Sequence, residues 1–159
     1  MKKRWLSTFI PNNYSGTLNG KKNISSIIIG DWSACELFIS DKRVRAFAEA
    51  TGDFNPIHLD EETGKQSRFG RRIAHGFLSA SLFPTLFAFC FPGSVYLSQD
   101  LKFKSPVYLG DTVKANIKIE KIDKKPRNFG TVVTCTTQCT VDSRSTVVVD
   151  GVAKVLIPT

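Results

Sequence analysis

Histidine is scarce in this chain, with two residues in 159, and no Asp or Glu precedes Asp31. The four cysteines, Cys35, Cys90, Cys135 and Cys139, form no CxxC pair and have no adjacent histidine. That argues against a metal site and reads as buried, reduced thiols. Cys135 and Cys139 fall in one strand-like run, where four residues span about 13 Å, too far for an unstrained disulfide. This usage fits a reducing compartment. No apolar run has the length of a membrane span; the nearest, residues 77–91, carries Ser79, Ser81, Pro84 and Thr85. RNP, KH and finger patterns are missing as well, so the formal charge of +8 does not by itself argue for a nucleic-acid partner.

What is present divides in two. Residues 1–30 hold Lys2, Lys3, Arg4, Lys21 and Lys22 among many Ser, Thr and Asn. Such a basic leader has the composition of a mitochondrial transit segment, or of a disordered tail in a cytosolic protein. A secretory signal is excluded, because no clean apolar stretch follows the basic start. Residues 31–159 are read as one folded domain, and the hydrophobic content of 42% is ordinary for a globular chain of this length.

Within that domain residues 32–39 read as a strand. Ser40 or Asp41 then caps a helix with Val44, Phe47 and Ala48 on one face, closed at Thr51-Gly52. Residues 53–59 read as a loop and 60–66 as a short helical turn. Residues 76–90 read as one long helix, apolar nearly all round and kinked by Pro84. Beyond Pro92-Gly93 the period becomes alternating, giving strands over 94–104, 112–122, 129–141 and 146–157. In the second of these, Val113, Ala115, Ile117 and Ile119 share a face opposite Lys114, Asn116 and Lys118. Together these elements describe an α+β domain with an antiparallel sheet curled around an apolar helix.

The two histidines lie in one short stretch, from Gly52-Asp53-Phe54-Asn55-Pro56-Ile57-His58 to Ala74-His75-Gly76. Pro56 restricts Asn55 to extended or turn geometry, so the segment is a shaped loop. It can present the Asp53 carboxylate and the His58 imidazole to one water as a general acid and base. Asn55 can hold that water or orient one of the pair through its amide. Gly76, at a helix start, lets a ligand approach backbone N–H groups that can stabilise a developing oxyanion. His75 is a candidate for the same substrate-binding role, beside its reading as a structural residue near the helix start. Phe77, Phe83 and Phe87 are candidates to line an apolar pocket, beside their reading as core.

The stretch 51–60, Thr-Gly-Asp-Phe-Asn-Pro-Ile-His-Leu-Asp, followed by Arg68-Phe-Gly-Arg-Arg-Ile-Ala-His-Gly76, resembles the MaoC-like, hydratase 2 family. Leu101-Lys102-Phe103, Pro106-Val107 and Gly110-Asp111 extend the likeness, which runs from about residue 32 to the C-terminus. The resemblance implies a hot-dog fold, usually dimeric. It also implies (R)-specific hydration of trans-2-enoyl thioesters, or dehydration of (R)-3-hydroxyacyl thioesters, in fatty-acid metabolism, with no cofactor. By position, Asp53 and His58 become the catalytic pair, Asn55 their support, and the Gly76 N–H the oxyanion donor. Two positions depart from the pattern: Gly64, where Ala is common, and Pro84, where some members carry Ser.

The thioester carrier would be coenzyme A or acyl carrier protein. Both are anionic, so Arg68, Arg71, Arg72, Lys102 and Lys104 are candidates for a basic rim. Two rival readings share the fold: a non-catalytic acyl-thioester-binding subunit, and a thioesterase, which the Asn-Pro-Ile-His spacing argues against.

Overall fold

The computed structural model describes residues 11–19, 24–124 and 130–158. Six antiparallel strands form one sheet in the order β1-β2-β4-β5-β6-β3. These are β1 (Asn12–Ser15), β2 (Trp32–Phe38), β3 (Val95–Phe103), β4 (Thr112–Lys124), β5 (Thr131–Val141) and β6 (Thr146–Ile157). The alternation in β4 sets the core face: Val113, Ala115, Ile117 and Ile119 are fully buried. Val133, Cys135, Cys139 and Val141 of β5 join them. Register shifts at Ile119/Lys121 and Cys139/Thr140 are of the kind that bends strands. The helical segment between β2 and β3 packs on the buried face, and the result is a hot-dog fold. Among the described residues no helix is long and apolar enough to cross a membrane.

Helix α1 (Asp41–Thr51) begins where the sequence places it, with the Ser40 hydroxyl accepting the Arg43 N–H, and ends at Gly52. Three expectations need correction. The loop over 53–59 contains a turn of helix, α2 (Pro56–Leu59), because Asn55 caps it through Ile57 N–H and Pro56 sits in the first turn. Proline is favoured there, since its missing N–H has no partner to lose. The single long helix is two helices, α4 (Gly76–Ala80) and α5 (Leu82–Cys90). Pro84 cannot donate to the Ala80 carbonyl, so the chain restarts at Ser81 and Pro84 becomes the third residue of α5, where no N–H is needed.

The third correction concerns the boundary at residue 30. β1 pairs with β2, Tyr14 stacks on Phe89 with ring centroids 4.1 Å apart, and Leu18 is in the core at 1% exposure. The packed domain therefore includes residues assigned to the leader. The first ten residues of that leader, with Lys21 and Lys22, lie outside the described residues, as does most of the turn before β5. Deleting residues 1–19 is expected to lower unfolding stability by about 2–5 kcal/mol through loss of Leu18 alone, read in a urea titration; an unchanged midpoint would contradict this packing.

Helix α3 (Glu61–Gln66), capped by Asp60, lies against the chain at residues 71–72. An ideal Cβ on Gly64 would stand 2.5 Å from the Arg72 backbone nitrogen, so the glycine is a close-approach position. Gly64→Ala is expected to cost about 1–3 kcal/mol by overpacking, measured by thermal melting.

Candidate active site

Three segments converge at one end of the helical layer. The residue after the Gly52 cap of α1 is Asp53, α2 carries His58, and His75-Gly76 starts α4. The crossing chain at residues 73–74 is held on both sides: Ile73 N–H donates to Ile57 O at 3.3 Å and Ala74 N–H to Val107 O at 2.7 Å. That anchoring gives His58 a fixed partner. Its Nδ1 lies 2.8 Å from the Ile73 carbonyl, which can only accept, so Nδ1 carries a proton and Nε2 is the nitrogen through which the ring can exchange one.

The same reasoning assigns His75. Its Nε2 is 2.9 Å from the Asp53 carbonyl oxygen and 3.9 Å from Asp53 Oδ2. The Nε2–H therefore donates to the backbone rather than to the carboxylate. The two imidazoles lie against each other with centroids 3.9 Å apart and planes tilted by 32°. One polar atom from each of Asp53, His58 and His75 falls within 4.8 Å of the others, a spacing that one water molecule can bridge. His75 is 2% exposed and His58 9%, whereas the Asp53 side chain keeps 51% of its surface. Burial pushes the His75 pKa below the usual imidazole value; its hydrogen bond to the Asp53 carbonyl opposes this, and neighbouring His58 adds to it.

Asn55 serves by holding the loop. Its side-chain oxygen accepts the Ile57 N–H at 3.3 Å, and its own N–H donates to Asp53 Oδ1 at 3.3 Å. One residue thus caps the helix that carries His58 and tethers the carboxylate.

A cavity of about 300 Å³ opens beside His58, with Gly76, Phe77 and Phe103 in its wall and Arg68 and Lys104 among its lining. Phe103 pairs with Val149 across β3 and β6, and its ring meets Phe77 edge-on at 5.2 Å. A Cβ on Gly76 would lie 2.6 Å from that ring, so glycine is what lets Phe103 close over the start of α4. A carboxylate, an imidazole and a helix start beside an apolar cavity can move protons next to a carbonyl group.

Comparison with known proteins places this arrangement. Residues 33–142 match the model of the MaoC like domain. The chain belongs to the MaoC-like family. Its relatives include the mitochondrial 3-hydroxyacyl-[acyl-carrier-protein] dehydratase of Arabidopsis thaliana, 34% identical over 82% of this chain and 77% of the relative. The 3-hydroxybutyryl-CoA dehydratase of Methylorubrum extorquens is 42% identical over 76% of this chain and 74% of its own length. Among solved structures, the (R)-hydratase from A. caviae involved in PHA biosynthesis superposes with a TM-score of 0.76 at 34% identity, covering 84% of this chain and 98% of that one.

Within this MaoC-like frame the other sequence candidates separate. Phe77 is in the cavity wall. Phe83 and Phe87 are not: they are 0% and 1% exposed in the core, with Phe87 edge-on to Tyr96 at 5.4 Å. Arg68 and Lys104 line the cavity, with Lys104 also paired to Asp150 at 2.8 Å. Arg71 lies over the Tyr108 ring, 3.8 Å from its centroid. Arg72 is no rim cation; it is 8% exposed and bridges Asp41 and Glu61 at 2.8 and 2.9 Å, tying α1 to α3. Lys102 lines a separate groove on the sheet with Asn116 and Gln138. Phe103, Val148 and Val149 were not legible as site residues, because only sheet register brings them to α4.

Proposed function

We propose that this MaoC-like protein is a hydro-lyase that interconverts trans-2-enoyl and (R)-3-hydroxyacyl thioesters. The observation that carries the reading is the convergence of the half-exposed Asp53 carboxylate and the His58 imidazole, with His58 and Gly76 lining an apolar cavity. In hydration, water gives its oxygen to C3, one of its protons is taken up by the pair, and the pair delivers a proton to C2. The Gly76 N–H faces the thioester oxygen, where negative charge builds as C3 is attacked. The acyl chain lies along Phe77 and Phe103, and Arg68 and Lys104 meet the anionic carrier, coenzyme A or acyl carrier protein, with Arg71 beside them. Carrier-protein substrates and a mitochondrial location are supported by the basic, acid-free start of the sequence and by the name of the Arabidopsis relative.

The working unit is a homodimer. Among the described residues β3 is the last strand of the sheet, and Val95, Leu97 and Phe103 along it are 53%, 53% and 50% exposed, as a strand covered by a second copy would be. Light scattering should give twice the chain mass of 17.6 kDa; the chain mass itself would contradict the dimer. Catalysis is tested with trans-2-butenoyl-CoA and longer enoyl thioesters on both carriers, following loss of the conjugated absorbance. An (R)-3-hydroxyacyl product is expected. Tight binding without turnover on either carrier would instead identify a binding subunit.

A further inference from the structure

We infer that His75 is a positioning residue, which fixes both members of the reacting pair through one donated hydrogen bond and one ring face, without touching substrate itself. The inference rests on the reading of Asp53 and His58 as that pair.

Asp53 has few fixed points for a reacting group. It follows the Gly52 helix cap, half of its side chain is in solvent, its N–H reaches the Thr51 hydroxyl at 3.3 Å, and its carboxylate is tethered within the loop by the Asn55 N–H, also at 3.3 Å. The bond from His75 Nε2–H to the Asp53 carbonyl at 2.9 Å is what holds this loop against the start of α4. Asp53 Oδ2 stands 3.9 Å from the same nitrogen, beyond hydrogen-bond distance, so the carboxylate remains available. The second contact is with His58, whose ring is held at one edge by Ile73 and on its face by His75, at 3.9 Å. Phe47 lies against His75 as well, at 5.1 Å.

The other imidazole nitrogen supports a role beyond packing. His75 Nδ1 is buried with no hydrogen-bond partner among the described residues. An unpartnered buried polar atom is costly, and a phenyl ring would fill the same slot against Phe47 and His58 without that cost. What a phenyl ring lacks is the Nε2–H.

The test uses the isosteric amides. In Gln the side-chain nitrogen is as many bonds from Cβ as Nε2 is, so His75→Gln keeps the donor to Asp53; in Asn the nitrogen replaces Nδ1 and the donor is lost. His75→Asn and His75→Phe are expected to lower kcat about 10²-fold, the effect of a small misplacement of reacting groups, with KM changed less than about threefold. His75→Gln should recover most of that loss. Thermal melting on the same samples separates turnover from folding, and the Gln–Asn comparison stands even if the Phe variant fails to fold. A folded Asn variant within threefold of wild-type kcat, or a Gln variant no better than Asn, would overturn the inference. Asp53→Asn is run alongside: wild-type turnover there would remove the underlying reading, whereas loss of turnover there with no effect at position 75 would remove this inference alone.

Discussion

Asp53→Asn is expected to lower kcat by about 10²- to 10⁴-fold, the range for removing a general acid or base, while leaving the fold intact. Asn matches Asp in shape, and its side-chain oxygen can still accept the Asn55 N–H that reaches Asp53 Oδ1. The backbone carbonyl that His75 holds is unaltered. With half of the side chain exposed, little packing is disturbed, and stability should stay within about 0.5 kcal/mol. The amide cannot cycle a proton between water and C2, so the loss should appear in kcat with KM nearly unchanged. Steady-state kinetics with a melting curve on the same preparation checks both halves. A kcat within about fivefold of wild type would exclude the carboxylate from acid–base chemistry.

The second large effect is on stability. Phe83→Ala should cost about 3–5 kcal/mol, the range for truncating a buried aromatic ring, because Phe83 is fully buried in the core cluster with Leu82, Leu86 and Phe87. For a chain of this size each kcal/mol shifts Tm by about 2–4 °C, so a fall of more than about 6 °C is expected. The preference among acyl chain lengths should not change, since Phe83 is not in the cavity wall. Phe77→Ala should show the reverse: 61% exposed and in that wall, it should leave Tm nearly unchanged and alter KM across the acyl series. A changed chain-length profile in Phe83→Ala without loss of stability would return that ring to the substrate pocket.

These two phenylalanines also show what the sequence could and could not reveal. An alternating strand has two faces, so Val113 to Ile119 declared which one is buried. A helix apolar all round declares none, and the difference between Phe77 and Phe83 comes only from the elements packed around them. The site pair was legible for a local reason: Asp53, Asn55 and His58 lie within six residues, and Pro56 and the Asn55 cap fix their geometry without help from afar. Partners supplied by register were not legible, as with Phe103 beside Gly76. Nor was Arg72, whose charge reads the same whether it faces solvent or bridges Asp41 and Glu61. β1 was missed because four residues in a polar, basic stretch carry no periodic signal, although Tyr14 and Leu18 tie that stretch to the core.

The central claim, that Asp53 and His58 add water across a conjugated thioester, is tested most directly by running the reaction in deuterated water with a trans-2-enoyl thioester on each carrier. The account predicts a product with (R) configuration at C3, one deuterium at C2 and an intact thioester, formed by the wild-type protein and not by Asp53→Asn. Release of free carrier thiol would contradict it in favour of hydrolysis, and equal product from Asp53→Asn would contradict the role given to the carboxylate.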